Sequence, residues 1–408
     1  MEAGNSEAHP ARVTGMAVAM QAIGGGLGWS VLPPLMPLIA TELGIGPTQT
    51  GMIWGSASLG IALASPVGGA AVDRFGPRRV ASAAMFVGAL ACVLRTLAVG
   101  PLSLAATMLL FGAHIGFVAP ALPKALAGHV PLARLARANG IALLGYTLGT
   151  ALTVVLARTV LAPALGGWRP VMWLAAVLMT IVGGLFAVLV PDRGALAPHA
   201  SIKSSFALAA EPELRRVAAM HFLLFGGYLA LLGLLPHALL AMGLAPHEVG
   251  LAVAGWLVCA AVANFAGPVI AARLGARRPV LMVGAAVAGL GLGVLALTGA
   301  QPMLCLGVAA LGGGCLAPLL LTAPLEMPRI GAARAGAAIG LLTLVGQLGG
   351  FLLPILSGAL VREHDFSLSL GALAIAHLAI VIPAWGLVEK GERESASNEA
   401  ARGAEAAA

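Results

Sequence analysis

Most side chains in this sequence that could bind a small molecule lie inside long apolar runs. A charged or polar group in such a run is costly to bury, so it is a candidate for function by default. The same residue types also serve in packing, with hydrogen bonds that close on the backbone, and that alternative stays open for each. The candidates for contact with a bound solute are Gln21, Trp29, Arg95, His114, Tyr228, Asn264 and Gln347.

Three titratable residues in these runs are candidates for proton transfer: His114, His221 and Glu326. Histidine is the side chain that normally changes charge between about pH 5 and 8. His114 is preferred because it lies near the middle of its run, whereas a carboxylate near a run's end, such as Glu326, can snorkel to water. Arg95 lies near the outer end of its run, where it could snorkel outward or reach inward as the partner of an anion.

Two of the runs are interrupted by glycine and proline at matching places. The first contains Gly24-Gly-Gly-Leu-Gly28-Trp29-Ser30, and the seventh contains Gly226-Gly227-Tyr228. Breaks at corresponding places in two halves of a membrane protein point to a central binding site. The sequence therefore predicts a solute held between Trp29 and Tyr228, with packing or an interfacial position as the alternative.

The elements that carry these residues are predicted to be membrane-spanning helices. The chain has 408 residues, of which 59% are hydrophobic and 10% charged, whereas about a quarter of a soluble domain is charged. The predicted fold class is an all-α polytopic membrane protein with twelve transmembrane helices in two pseudo-symmetric six-helix bundles, each helix about 20 residues long. The predicted helices are 13–40, 50–72, 79–99, 102–124, 137–161, 168–190, 214–241, 247–271, 278–298, 302–324, 335–361 and 368–388.

Polar segments divide the chain further. The predicted parts are a cytoplasmic N-terminal tail (1–12), an N-terminal bundle (13–190), a cytoplasmic linker (191–213), a C-terminal bundle (214–388) and a disordered cytoplasmic tail (389–408). Lys and Arg concentrate on one side, which the positive-inside rule places in the cytoplasm with both termini. The exceptions, on the outer side, are Arg95, Arg158, Arg169 and Arg362. The net charge of +7 thus reflects orientation in a bacterial inner membrane rather than binding to nucleic acid.

An internal repeat relates the two bundles. Glycine and proline fix backbone shape, so a shared register of these residues indicates a shared folding unit. A shift of 199 residues aligns Pro37 with Pro236, Gly76 with Gly275, Arg78 with Arg277 and Arg79 with Arg278.

A short basic loop joins the second and third runs and reads GxxxDRxGxRR. This loop closely resembles the signature loop of the major facilitator superfamily of transporters. The resemblance covers roughly Val13 to Val388 and implies two six-helix bundles that rock about a central site, opening alternately to each side. It also implies a conformational latch at the inner end of the eleventh helix. The latch residues would be Gly69, Asp73, Arg74, Gly76, Arg78 and Arg79.

Several shorter runs look like the cyanate/nitroimidazole transporter branch of that superfamily, among them Leu94-Arg95, Pro123-Lys124 and Gly226-Gly-Tyr228. This resemblance implies a small, often anionic or polar solute, with Arg95 and Lys124 as counter-charges. Met108 stands where proton-driven members commonly carry arginine. That departure favours weak or no dependence on a proton gradient.

The sequence thus predicts a secondary active or facilitative transporter that moves a small polar or anionic solute by alternating access. Efflux of drugs or toxic compounds is one alternative, and a non-transporting membrane receptor or assembly protein is another. No catalytic triad, Walker loop or metal-binding cysteine spacing occurs, so no enzyme activity, cofactor or metal is expected. The expected partners are the lipid bilayer and the solute, with a coupling ion left open and a monomer expected.

Overall fold

A computed structural model describes residues 3–191, 208–327, 330–363 and 365–389, and these residues are almost entirely helical. The one isolated extended pairing among them joins Arg362 and Asp365. Twelve helices are long and apolar enough to cross a membrane, which confirms the predicted fold class. They are α1 Pro10–Leu43, α2 Pro47–Phe75, α3 Pro77–Thr96, α4 Pro101–Ala127, α5 Arg137–Leu165, α6 Trp168–Leu189, α7 Pro212–Ala241, α8 Pro246–Leu274, α9 Arg278–Thr298, α10 Pro302–Pro324, α11 Ala338–Ala359 and α12 Ser367–Trp385.

Several of these helices are assembled from shorter segments. The helical segments of α1 are Ala3–Met20, Gly28–Ser30 and Leu32–Leu43, with a π-helical turn at Gln21–Leu27. A second π-helical turn, Ala157–Leu161, lies in α5 between Leu132–Leu156 and Ala162–Leu165. The remaining segments are Pro302–Gly314 and Leu316–Glu326 in α10, Gly331–Ala359 in α11, Ser367–Ala379 and Val381–Trp385 in α12, and a 3₁₀ turn at Leu208–Ala210.

The predicted helix boundaries agree with the structure to within a few residues. At the N-terminus the helix reaches back to Ala3, into the segment predicted as a tail. Most of the predicted linker (191–213) and of the C-terminal tail (389–408) lies outside the described residues. The division into bundles 13–190 and 214–388 stays a prediction.

Packing defines two compact units. Unit 1 contains α1–α6 together with Tyr228–Val258 and Gly350–Ser369, which include the outer parts of α7, α8 and α11. Unit 2 contains α7 up to Gly227, then Cys259–Gly349 and the chain from Leu370. Helices α7, α8 and α11 therefore contribute to both units.

The helices of unit 1 approach one another closely at glycines. A side chain at Gly112 of α4 would collide with the carbonyl of Ala57 in α2, and one at Gly60 of α2 would collide with the carbonyl of Leu109 in α4. Small residues allow such backbone contact between membrane helices. The glycine pairs in the sequence therefore mark helix crossings.

The outer ends of helices from both sequence halves meet in unit 1. Gly55 of α2 faces the carbonyl of Phe351 in α11, at a distance where a methyl group would not fit. Gly233 of α7 faces the indole ring of Trp54 in α2. These contacts close the outer ends of α2, α7 and α11 together.

Unit 2 is held by a cluster of buried aliphatic side chains. The cluster draws on α7, α9, α10, α11 and α12, so each of these helices buries part of its surface against the others. Its members include Leu214, Val217, Met220, Leu281, Ala285, Leu316, Leu320, Leu342, Ile380 and Ala384.

We expect Gly112→Val to destabilise the protein by about 1–3 kcal/mol, the usual cost of forcing extra atoms into a packed contact. The matched control is Gly255→Val in α8, because a Cβ at Gly255 meets no atom within 4 Å. Thermal unfolding of the purified variants in detergent measures the difference. Equal melting temperatures for the two variants would show that the α2–α4 crossing is not tight.

Candidate functional site

The π-helical turn of α1 creates the space around which the candidate site is built. The amide of Gly28 donates to the carbonyl of Ile23, one residue further back than in a regular helix. Glycine is required inside the turn, because a Cβ at Gly26 would lie 2.7 Å from Cα of Gly149 in α5. Turns of this kind recur at functional sites in membrane and soluble proteins. The break predicted from the glycines of the first run is therefore a π-helical turn. The matching break predicted in the seventh run is wrong, because α7 is one continuous α-helix from Pro212 to Ala241.

Arg95 reaches inward from the end of α3 and is fully buried, with 0% of its surface exposed. One guanidinium nitrogen, Nη1, donates to the carbonyl of Gly28 at 3.2 Å. The guanidinium also lies over the ring of Phe111, 4.5 Å from its centroid. Nε and Nη2 have no hydrogen-bond partner. Of the two orientations left open by the sequence, the structure has the inward one.

No carboxylate among the described residues pairs with Arg95. Lys124, the other cation expected to meet an anion, forms an ion pair with Asp73 instead. Burying a charged group without a counter-charge is costly. Arg95 is thus a buried cation whose free donors face no protein acceptor.

The ring of Phe111 beneath Arg95 belongs to a group of neighbouring rings, here named the aromatic cage, which consists of Trp29, Trp54, Phe111 and His114. The ring centroids of Trp29 and Trp54 are 4.9 Å apart, and those of Phe111 and His114 are 5.1 Å apart. Trp29 and Phe111 lie 6.5 Å apart. The indole nitrogens of Trp29 and Trp54 have no hydrogen-bond partner. Three predicted site residues, Trp29, Arg95 and His114, are therefore brought together.

His114 is fully buried in α4 beside the turn of α1. Its Nδ1 lies 2.7 Å from the carbonyl of Ala84, which fixes the ring. Its Nε2 has no partner and lies beside Gly24, whose missing side chain leaves room for the imidazole. The ring is therefore anchored on one nitrogen and open on the other.

Tyr228 belongs to a hydrogen-bonded network that joins α1, α5 and α7. Its hydroxyl pairs with that of Tyr146, and Tyr146 also bonds Thr150. Thr150 in turn accepts a hydrogen bond from Ser30 at 3.1 Å. The ring of Tyr228 stacks on Trp256, with centroids 5.3 Å apart. Gln21, another predicted site residue, lies with Tyr146 against Gly25.

Sequence reasoning missed Trp54, Phe111, Tyr146 and Trp256. One signal was available for Tyr146, because the chain contains only two tyrosines and the network uses both. The others are aromatic residues in apolar runs, where the sequence does not distinguish packing from a site.

The remaining predicted site residues belong to unit 2. Gln347 is buried and its Oε1 has no partner, and the ring of His221 packs against the neighbouring Gly346. Asn264 is exposed on α8. The side chain of Glu326 lies outside the described part of the chain. Among the described residues, no group of three or more His, Cys, Asp or Glu could hold a metal ion.

At the basic loop, the ion pair of Asp73 and Lys124 joins α2 to α4. Arg78 donates to the carbonyl of Val190 at 3.4 Å, and Arg74 lies over the ring of Phe75.

The other predicted latch residues take different positions in the loop. Gly76 has φ +84°, a conformation that favours glycine. Gly69 faces open space, and Arg79 has further interactions. The predicted partner of Asp73, the inner end of the eleventh helix, stays a prediction.

The second half repeats the arrangement around Arg78. The backbone amides of Arg277 and Arg278 both donate to the carboxylate of Glu389. Arg277 and Glu389 lie 199 residues after Arg78 and Val190, which is the shift of the sequence repeat. The repeat thus extends to contacts between the ends of α3 and α6 and the corresponding ends of α9 and α12.

The twelve helices, the basic loop and the buried polar site together define a polytopic membrane transporter. The family model of the Major Facilitator Superfamily matches residues 18–238 and 217–407, so the chain belongs to this superfamily. Membership confirms the predicted superfamily and makes the protein a transporter rather than an enzyme.

Two relatives are transporters of small inorganic anions by description. The chain is 26% identical over 402 residues to the probable nitrate/nitrite transporter NarK2 of Mycobacterium tuberculosis, covering 92% of this chain and 95% of that protein. It is 27% identical over 246 residues to the nitrite extrusion protein of Bacillus subtilis, covering 59% and 60%. The crystal structure of the nucleoside transporter NupG superposes with a TM-score of 0.75 at 14% identity, covering 92% and 98%, and shares the fold.

We expect Asp73→Asn to leave the protein folded but to slow transport by at least about tenfold. The variant loses a charge-assisted contact worth about 1.5–3 kcal/mol, which is enough to rebalance two conformations of similar energy. Uptake into proteoliposomes measures the rate. The control is Glu42→Gln, which breaks the exposed pair with Arg169 and should have little effect. A wild-type rate in Asp73→Asn would rule out the latch.

Proposed function

We propose that the protein transports a small oxyanion by alternating access and that Arg95 is the counter-charge that binds it. The observation that carries the proposal is a fully buried guanidinium with no carboxylate partner among the described residues. Burying a charged group without a counter-charge is costly. A bound anion would offset that cost.

The free edge of the guanidinium favours an oxyanion over a halide. Nη1 is occupied by Gly28, while Nε and Nη2 are unpartnered. These two nitrogens lie on the same edge of the planar group and present parallel N–H bonds. Two oxygens of one planar anion match that geometry, which is why arginine binds such groups in a bidentate way.

Similarity to known transporters supports the same class of solute. Two relatives are described by their names as transporters of nitrate or nitrite. The short runs around Arg95 and Tyr228 also resemble the cyanate/nitroimidazole branch. We therefore propose nitrate, nitrite and cyanate as the first solutes to test, and we place the chain near those anion transporters within the superfamily.

The aromatic cage and the tyrosine network would line the path of the anion. We propose that Trp29 and Tyr228 form walls on either side of the solute, with the indole N–H of Trp29 as an additional donor. Gln21 beside Tyr146, and Gln347 and Asn264 in unit 2, are proposed as further polar contacts. His114 is the proposed carrier if a proton is coupled, with His221 and Glu326 as the other proton-coupling candidates.

We further propose that the protein acts as a monomer in the bacterial inner membrane with both termini in the cytoplasm. The distribution of Lys and Arg supports this orientation. We propose weak dependence on a proton gradient, because Met108 occupies the position of the arginine common in proton-driven members.

We expect Arg95→Gln to reduce nitrate uptake into proteoliposomes by at least about tenfold, as for the loss of a hydrogen bond to a charged group. Arg95→Lys should retain part of the activity, because it keeps the charge but not the two-pronged geometry. Arg362→Gln, an exposed arginine on the outer side, is the control and should transport normally.

The solute panel should contain nitrate, nitrite and cyanate, with xylose and uridine as neutral compounds. The proposal is wrong if the wild-type protein moves only the neutral compounds. It is also wrong if Arg95→Gln transports all three anions at the wild-type rate.

We expect Trp29→Ala and Tyr228→Ala each to raise the half-saturation concentration for the transported anion several-fold while the protein still inserts. Because both rings would contact one ligand, the double variant should lose less than the sum of the single losses. Strict additivity, or normal half-saturation in both single variants, would assign the rings to packing alone.

A further inference from the structure

A second group of unpartnered donors lies in the outer parts of α5 and α7. Arg158 is the second residue of the π-helical turn Ala157–Leu161, and its buried Nη1 has no hydrogen-bond partner. Both ring nitrogens of His237 are buried and also have no partner. The two side chains are close enough to interact electrostatically. These two residues with unpartnered donors are here named the outer pair.

The acidic groups described on the outer side are engaged elsewhere or exposed. Glu42 pairs with Arg169 and accepts the indole N–H of Trp168 at 2.6 Å. Glu248 accepts the amide of Ala245, and Asp365 accepts the amide of Ser367. Glu363 is exposed on the loop before α12. Arg158 therefore has no described carboxylate to neutralise it.

The outer pair lies nearer the outer surface than Arg95 does. Along the axis of α5, Arg158 lies about 10 Å from the outer end of the helix at Leu165, counting about 1.5 Å per residue. His237 precedes the end of α7 by about 6 Å on the same count. The guanidinium of Arg95 lies at the level of Gly28, whose carbonyl accepts its hydrogen bond. Along the axis of α1, Gly28 lies about 22 Å from the outer end of the helix. A ligand entering from outside would meet the outer pair first.

A small cavity borders the aromatic cage at Trp54. Gly233 lines it and comes one helical turn before His237, so both residues lie on one face of α7. Trp54, a member of the aromatic cage, also lines the cavity and packs against Trp29 with its ring tilted. A Cβ at Gly233 would lie 2.9 Å from the indole of Trp54, so the two residues are in direct contact and this contact closes the space between them. The other lining residues are Leu32, Pro33, Met36, Thr50 and Ile53.

We propose that Arg158 and His237 form an outer subsite for the transported oxyanion, separate from the Arg95 site and divided from it by the contact of Gly233 with Trp54. This inference rests on the proposed function, because it needs an anionic solute. The guanidinium supplies a fixed positive charge and the imidazole an N–H donor. An anion bound there satisfies donors that the protein leaves unpaired.

The test compares half-saturation concentrations for nitrate presented from the two sides of the membrane. Full-length protein is reconstituted in one orientation, and uptake is measured with nitrate on the outer or on the inner side. We expect Arg158→Gln and His237→Gln each to raise the outer-side value by about tenfold, as for a lost hydrogen bond to a charged group. The half-saturation concentration for nitrate presented from the inner side should stay within about twofold of the wild-type value, because the substituted residues would lie far from the Arg95 site. Arg158→Lys should recover part of the outer-side affinity.

Arg362→Gln controls for general electrostatic steering, because it removes the same charge from an exposed outer position. Arg95→Gln separates the two proposals. If Arg95→Gln abolishes transport while Arg158→Gln and His237→Gln have wild-type outer-side values, the outer subsite is wrong and the proposed function stands. If no anion is transported by the wild-type protein, the proposed function itself fails. An equal change on both sides, or a change in maximal rate alone, would make the outer pair a gate and overturn the subsite.

Discussion

Inside a bilayer no water is available to satisfy a freed backbone group, so a chain can leave regular helical geometry only where protein covers the irregularity. This protein does so twice among its described helices, at the π-helical turns of α1 and α5. The first turn presents a carbonyl to Arg95, and the second carries Arg158. Both arginines with unpartnered donors are therefore associated with a break in helix geometry. Glycine makes the first break possible by allowing α5 to lie against it.

The membrane architecture could be predicted from the sequence almost completely. Hydropathy and helix length are local properties, so all twelve spans were recovered with small errors at their ends. The glycine run at Gly24–Gly28 also predicted the break in α1, since the break is a property of that segment. Arg95 was recognised as a candidate, but its direction depends on Gly28 and Phe111, which belong to other helices.

The contacts that assemble the site could not be predicted in the same way. Trp54 and Phe111 carry no signal that separates them from other aromatic residues in apolar runs. The pairing of Lys124 with Asp73 joins residues 51 positions apart, and it removes Lys124 from the set of available counter-charges. Such contacts depend on how the helices cross, and the crossing is set by glycine contacts that a single sequence does not assign to partners.

The two ends of α2 are packed by different kinds of interaction. At the basic loop the contact is ionic, between Asp73 and Lys124. Near the outer end of α2 the contacts are close packing at glycine, of Gly55 against Phe351 and of Gly233 against Trp54. Such packing carries no charge, so salt does not screen it and no group in it titrates. Contacts of this kind therefore hold equally well in dilute or saline, acidic or alkaline surroundings, which suits the side of a transporter that faces an environment the cell does not control.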